Sequence, residues 1–135
     1  MRKLLIVDDE IEIRRMLSRH FRLLGYSVEV AENGVEALQK MSENYTEVLI
    51  SDIKMPEMSG VDLLREVRSQ YPMVRSIMIT GYVTLENALA CMRLGADTCI
   101  FKPFKDLDEI ELAVKKAIDS LDCWNSKLRE LRGMK

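Results

Sequence analysis

Five short apolar runs alternate with five amphipathic segments, and this order restricts the fold more than any other feature of the chain. The apolar runs cover residues 3–7, 27–31, 47–51, 74–80 and 98–101. Between them, apolar residues recur every three or four positions, which is the helical period. Strict alternation of strand and helix is typical of a parallel sheet with helices on both faces. We therefore expect one α/β domain with right-handed crossovers.

Capping residues mark where several of the helices should begin and end. Asn33, Ser59 and Thr84 each precede an amphipathic segment and can accept a hydrogen bond from its first turn. Gly25 and Gly95 follow the first and fourth segments, where glycine commonly ends a helix. These signals place the helix ends independently of the apolar pattern.

The last helix, expected to open at Asp106, is longer than the sheet requires. Its apolar residues alternate steps of four and three, as in a heptad repeat: Ile110, Val114, Ala117, Leu121, Trp124, Leu128 and Leu131. We predict a domain of residues 1–120 and an extension of residues 121–135. The extension either curls back on the domain or forms a coiled-coil stalk that dimerises or leads to an output domain. Three repeats favour the stalk slightly.

Composition and charge exclude several classes of protein. Lys and Arg total 20 and Asp and Glu total 22, giving a net charge of −2, so we expect no direct nucleic-acid binding by this domain. No apolar run approaches the roughly 20 residues that cross a bilayer, and the first run is too short for a signal peptide. Cys91, Cys99 and Cys123 form no C-x-x-C pair, which favours reduced thiols in a cytoplasmic protein.

Charged residues stand at the ends of three predicted strands. Asp8 and Asp9 follow the first strand, Asp52 follows the third, and Lys102 follows the fifth. The carboxyl ends of parallel strands share one edge of the sheet, which is where open α/β sheets bind ligands. Three carboxylates can gather there only if a cation neutralises them. Oxygen-only ligands favour a hard divalent ion such as Mg²⁺.

A carboxylate beside a metal ion is a plausible acceptor for a phosphoryl group. Asp52 is the predicted nucleophile, because the Pro-containing loop that follows turns the chain away and leaves this side chain open. Asp9 is predicted to ligate the metal directly, and Asp8 through a bound water. Phosphoryl transfer needs mainly such positioning and charge neutralisation from a protein.

Lys102 and one further strand end complete the predicted site. Lys102 would contribute a positive charge for phosphoryl oxygens, and Thr80, at the end of the fourth strand, a hydroxyl donor. Gly81 leaves the space beside Thr80 open. Each of these residues has an ordinary structural explanation when it is taken singly. All of them together at one sheet edge indicate a site.

The motifs at these positions resemble those of the receiver domain of two-component response regulators, from about residue 3 to residue 120. The matching segments are IVDDE (6–10), LISDIKMPEMSG (49–60), IMITGY (77–82), LGAD (94–97) and FKPF (101–104). The resemblance implies a flavodoxin-like (βα)5 fold with strand order 2-1-3-4-5. It also implies a phosphorylation switch whose catalysis is self-directed, through phosphotransfer to itself and slow autodephosphorylation.

The resemblance assigns partners and ligands to this site. A phosphohistidine on a sensor histidine kinase or phosphotransfer protein would donate the phosphoryl group to Asp52. Mg²⁺, for which Mn²⁺ or Ca²⁺ can substitute, would be held by Asp9, Asp52 and the backbone carbonyl of Lys54, with Asp8 assisting. A homodimer and an output domain beyond Lys135 are further expected partners, whereas no membrane contact is expected.

The resemblance also describes a switch. Thr80 and Lys102 would sense the acyl phosphate, and the face made by helix four, strand five and helix five would change. The Lys102–Pro103 peptide is often cis in this family, which would aim the lysine.

One position departs from the family pattern. Cys99 stands three residues before Lys102, where the family usually has a switch aromatic. Phe101 is the nearest aromatic in this strand, and we expect its side chain to point to the other face of the sheet. Tyr82 is an alternative shielding ring. Lys54 and Tyr82 are also candidates for controlling hydrolytic water, although both could simply face solvent.

Two other functions fit the same fold class. A Mg²⁺-dependent phosphohydrolase with an aspartyl intermediate usually needs a second carboxylate two positions after the nucleophile, where this chain has Lys54. A flavin-binding domain needs a phosphate loop rich in Ser, Thr and Gly after the first strand. Asp8 and Asp9 would repel a phosphate there.

Overall fold

A computed structural model describes residues 1–81 and 84–133 of the chain. Strands and helices alternate along it: β1 (Lys3–Val7), α1 (Ile11–Leu23), β2 (Ser27–Ala31), α2 (Gly34–Glu43), β3 (Val48–Asp52), α3 (Gly60–Gln70), β4 (Arg75–Thr80), α4 (Leu85–Arg93), β5 (Thr98–Phe101) and α5 (Asp108–Gly133). In the part of the chain that the model describes, no helix is both long and apolar enough to cross a membrane.

The five strands form one parallel sheet in the order β2-β1-β3-β4-β5, as predicted. In this register, Val7 of β1 pairs with Ser51 of β3, and Thr80 of β4 pairs with Phe101 of β5. The carboxyl ends of β1, β3, β4 and β5 therefore come together at one edge. The residues at these ends are Asp8 and Asp9, Asp52, Thr80 and Lys102. This edge carries the predicted site.

Helices cover both faces of the sheet, so the strands have apolar side chains on both sides. On one face, α1 and α5 pack over strand residues such as Ile6, Ile50 and Ile79. On the other face, α2 and α3 cover Leu5 and Leu49. Beside them, Leu64 of α3 and Cys91 of α4 cover Met78.

Side-chain caps confirm the predicted starts of three helices. Asn33, Ser59 and Thr84 accept hydrogen bonds from the backbone amides three residues ahead, at 2.8, 3.1 and 3.1 Å. The start of α5 differs from the prediction: the helix begins at Asp108. The side chain of Asp106 instead accepts the amide of Asp108 at 2.9 Å, which closes a turn before the helix.

Helix α5 continues unbroken to Gly133, beyond the part that packs on the sheet. Its buried residues end at Leu121, whereas the side chain of Trp124 is 57% exposed. Arg2 fixes the helix at this point through two hydrogen bonds to Asp122, of 2.8 and 2.5 Å, and a third of 3.0 Å to Glu47. Contact with the globular part thus reaches into the predicted extension, where Trp124 also lines a cavity with Pro72 and Met73.

Candidate functional site

Three carboxylates meet at the carboxyl edge of the sheet. Asp8 is fully buried after β1, Asp52 is 5% exposed at the end of β3, and Asp9 is exposed. One oxygen from each of the three lies within 4.8 Å of the others. Because β1 and β3 are neighbours in the sheet, the pairing of their last residues brings Asp8 and Asp52 together.

Lys102 reaches the carboxylates from β5, two strands away from β3. Its Nζ lies 2.7 Å from Asp8 Oδ2 and 3.1 Å from Asp52 Oδ2. The lysine follows the last residue of β5, and its amide donates to the carbonyl of Thr80 at 2.8 Å. The peptide bond between Lys102 and Pro103 is cis, as the resemblance implied.

Burial controls the electrostatics of this cluster. It raises the pKa of Asp8, against the opposing effects of Lys102 and of the amide of Glu10, which donates to Asp8 Oδ1 at 2.9 Å. Burial alone would lower the pKa of Lys102, but Asp8 and Asp52 outweigh it and raise that pKa. Lys102 and the Glu10 amide therefore do not fully offset the cost of burying the ionised form of Asp8.

The donor set fits a hard divalent cation. Asp8 Oδ2 is buried, and its ion-pair partner Lys102 is shared with Asp52. Its neighbours within the cluster are carboxylate oxygens, the ligand type that Mg²⁺ prefers. Lys102 offsets a single charge of the three.

The loop after Asp52 is held close to the strand end. The amide of Lys54 donates to Asp52 Oδ1 at 3.3 Å, and the hydroxyl of Ser51 donates to the Asp52 carbonyl at 2.9 Å. Gly60 returns to the strand, where its amide donates to the Ile53 carbonyl at 2.7 Å. A β-carbon at position 60 would lie 2.0 Å from the Asp52 carbonyl oxygen. In the sequence, Gly60 stood out only as the last residue of the segment LISDIKMPEMSG, so this close approach was not predicted.

The structure places Thr80 and Gly81 at the same edge. Thr80 is 1% exposed at the end of β4, and the following Gly81 is exposed. A β-carbon at position 81 would lie 3.6 Å from the Lys102 β-carbon, an ordinary contact. A side chain at position 81 would therefore meet no close neighbour, and the packing there does not require glycine. Tyr82, the alternative shielding ring, lies outside the described residues.

The expectation that Phe101 points to the other face was wrong: Cys99 and Phe101 lie on one face of β5, because residues two apart in a strand share a face. Cys99 is partly buried against the cluster that contains Met78 and Cys91. Phe101 is 61% exposed. On the face of the sheet that α4 covers, Cys99 therefore holds the more buried position and Phe101 the exposed one.

Glu10 is a site residue that the sequence analysis missed. Its Oε2 lies 3.4 Å from Lys102 Nζ, at the exposed rim of the cluster. Its place directly after Asp8 and Asp9 was the available signal. The missing information was that a lysine 92 residues later would come within reach.

Comparison with known proteins identifies relatives along most of the chain. The family model of the response regulator receiver domain matches residues 4–115. The regulatory protein AtoC of Escherichia coli is 40% identical over 129 residues, which are 96% of this chain and 28% of AtoC. Sporulation initiation phosphotransferase F of Bacillus subtilis is 38% identical over 84% of this chain and 91% of its own length.

Solved structures match equally well. A CheY-like receiver domain from Methanospirillum hungatei is 34% identical, with a TM-score of 0.85 over 90% of this chain and 97% of that one. TrrA of Thermotoga maritima, solved with Mg²⁺ and BeF, is 35% identical with a TM-score of 0.78, covering 87% and 99%. The beryllofluoride-activated receiver dimer of NtrC4 is 30% identical with a TM-score of 0.83, covering 90% and 99%.

Proposed function

The chain belongs to the response regulator receiver domain family of two-component systems, and from that membership we propose that Asp52 is its phosphoryl acceptor. Receiver domains act as phosphorylation switches. The observation that carries the choice of Asp52 is its position: it shares the acidic cluster with Asp8 and Asp9 and lies 3.1 Å from Lys102 Nζ. A phosphohistidine on a sensor histidine kinase or phosphotransfer protein is the proposed donor.

The residues around Asp52 have separate roles in the phosphoryl transfer. A carboxylate oxygen of Asp52 forms the new bond to phosphorus while the bond from phosphorus to the histidine nitrogen breaks. Lys102 then moves its positive charge from the free carboxylate to the phosphoryl oxygens. Thr80, at the end of the adjacent strand, offers its hydroxyl to another of these oxygens. Both residues thereby sense the acyl phosphate.

The acidic cluster is the proposed metal site. Bound Mg²⁺, for which Mn²⁺ or Ca²⁺ can substitute, would neutralise charge between the carboxylates and the phosphoryl group, with Asp9, Asp52 and the Lys54 carbonyl as ligands and Asp8 acting through water. The TrrA structure, which contains Mg²⁺ and BeF, supports this assignment by similarity.

Labelling with a small phosphodonor tests the acceptor. Acetyl phosphate with Mg²⁺ should modify the wild-type chain once, and Asp52→Asn should abolish the label. Asp62→Asn is the matched control, because Asp62 is an exposed aspartate on α3 that lies outside the cluster. Persistent labelling of Asp52→Asn would place the acceptor elsewhere, and so would loss of the label in Asp62→Asn.

The output of the switch follows from the same strand ends. We propose that phosphorylation changes the face formed by α4, β5 and α5. The reason is that Thr80 is the last residue of β4 and Lys102 directly follows β5. Gly81, Cys99, Phe101 and Pro103 are the neighbouring positions that would move with them. Lys54 and Tyr82 are proposed to control access of hydrolytic water, and hydrolysis at Asp52 would reset the switch.

The chain spans 28% of AtoC and 24% of NtrC of Escherichia coli, so the role of a whole protein is a proposal. We propose an output domain that follows the receiver domain of residues 1–120, in a cytoplasmic regulator. Residues 121–135 would form a stalk, either as a dimeric coiled coil or as a linker to that domain. The NtrC4 receiver dimer supports dimerisation by similarity.

A further inference from the structure

A cavity of about 420 Å³ opens at the amino-terminal edge of the sheet, at the opposite end of the strands from Asp52. It lies between the carboxyl ends of α2 and α3, just before β3 and β4 begin. Two segments line it, residues 41–46 and 71–74. A volume of this size is within the range of small-molecule sites.

The walls of the cavity are largely apolar and include two aromatic rings. Tyr45 is 62% exposed beside it, and Tyr71 is partly buried against α3. Met41 and Val74 close the inner side, since each is less than a tenth exposed. Thioethers and aromatic rings favour apolar or polarisable groups. Aromatic faces also attract cations.

Backbone groups and one side chain contribute negative charge to the lining of the cavity. α2 ends at Glu43 and α3 at Gln70, so two helix carboxyl ends, with their partial negative charge, meet at the cavity. Glu43 is the one ionised side chain among the lining residues, which include no Lys or Arg. Burial raises the pKa of Tyr45, and Glu47 and Asp122 add to this effect while Arg2 opposes it.

We propose that this cavity binds a small organic cation, an alkyl- or arylammonium compound. Its ammonium group would lie against the two helix carboxyl ends and Glu43, and its apolar body against Tyr45 and Tyr71. Charge complementarity selects a cation over an anion, and the aromatic lining selects an organic cation over a hydrated metal ion. The proposal does not depend on phosphorylation of Asp52, because the two sites lie at opposite edges of the sheet.

A titration followed by amide NMR tests the site with benzyltrimethylammonium as the probe. We expect a dissociation constant of about 1 mM for a probe of this size, with shifts concentrated in the amides of residues 41–46 and 71–74. Benzyl alcohol, the neutral comparison, should bind about fivefold more weakly, and benzoate about tenfold more weakly. Equal binding of benzyl alcohol would overturn the choice of a cation.

Four variants identify the contacts. Tyr45→Leu should weaken binding about fivefold through loss of the ring, whereas Tyr45→Phe should stay within about twofold of the wild type. Glu43→Gln should weaken binding about threefold. Glu86→Gln on α4 is the matched control and should change nothing, because Glu86 is exposed and does not line the cavity. Unchanged binding in Tyr45→Leu, or shifts centred on Asp8 and Asp9, would overturn the proposal.

Discussion

At the scale of single residues, Gly60 and Asp52 depend on each other. The amide of Gly60 bonds to the Ile53 carbonyl, and the Asp52 carbonyl oxygen occupies the place where a β-carbon at position 60 would stand. Both neighbouring groups are backbone, so they cannot rotate away as a flexible side chain would. Glycine at position 60 therefore sets how closely α3 approaches the proposed acceptor.

Substituting Gly60 tests this dependence. Gly60→Ala should lower the free energy of unfolding by about 2–3 kcal/mol, because the backbone of β3 must shift to relieve the overlap. Gly133→Ala, with nothing within 4 Å of its added β-carbon, should change stability by less than about 0.5 kcal/mol. Urea denaturation measures both. Equal stability of the two variants would mean that the loop yields without cost.

Asp8 gives a prediction about pH. Its raised pKa in the folded state means that the ionised carboxylate costs stability at neutral pH, and that this cost is absent once the pH falls below about 4. Asp8→Asn should therefore stabilise the metal-free protein at pH 7 by about 1 kcal/mol, with a much smaller gain at pH 4. Urea denaturation in a chelator at both pH values checks this. Destabilisation at pH 7 would show that the ion pair with Lys102 outweighs burial.

At the scale of elements, local rules predicted the order of strands and helices and the capped helix starts. They worked because each signal lies within a few residues, as with Ser59 and the amide three positions on. Buried helix faces were predicted less well: Met16 on α1 stands three residues after Ile13, at helical spacing, yet it is 38% exposed. Which apolar residues become buried depends on where the sheet lies, and the helical period does not contain that information.

Long-range ion pairs away from the strand ends could not be predicted from the sequence. Arg2 and Asp122 are 120 residues apart, and Lys102 and Glu10 are 92 apart. Charged residues are common on any surface, so no local signal selects these pairs from the others. The acidic cluster was predictable because each of its members ends a strand or follows one directly. The partners at its rim were not, because they depend on side-chain reach.

Truncation of α5 tests where the globular part ends. Removal of residues 121–135 should cost about 2–4 kcal/mol, because it deletes the buried side chain of Leu121 and the partner of Arg2. Removal of residues 125–135 should cost less than about 1 kcal/mol, since Leu121, Asp122 and Trp124 remain. Urea denaturation compares the two. Light scattering on the variant that lacks residues 121–135 tests the stalk. If the full chain is a dimer and this variant is still a dimer, the stalk is not the dimer contact.

At the scale of the whole molecule, metal binding and folding are linked through the acidic cluster. A cation that binds only the folded state raises stability by about 1.4 kcal/mol at ten times its dissociation constant. We therefore expect Mg²⁺ to raise the unfolding midpoint of the wild-type protein. Asp9→Asn should reduce this gain, because Asp9 is the exposed member of the cluster. Denaturation at increasing Mg²⁺ measures the effect, and an equal gain in Asp9→Asn would remove Asp9 from the ligand set.

Helix α5 spans the molecule from end to end. It starts near the carboxyl edge, after the turn that Asp106 closes, and passes the opposite edge where Asp122 holds Arg2. With 26 residues it is about 39 Å long, and as a stiff rod it would work as a lever. A tilt of about 5° at the first turn would displace the far tip by about 3 Å. Such leverage would carry a small rearrangement beside Lys102 to anything attached past Gly133.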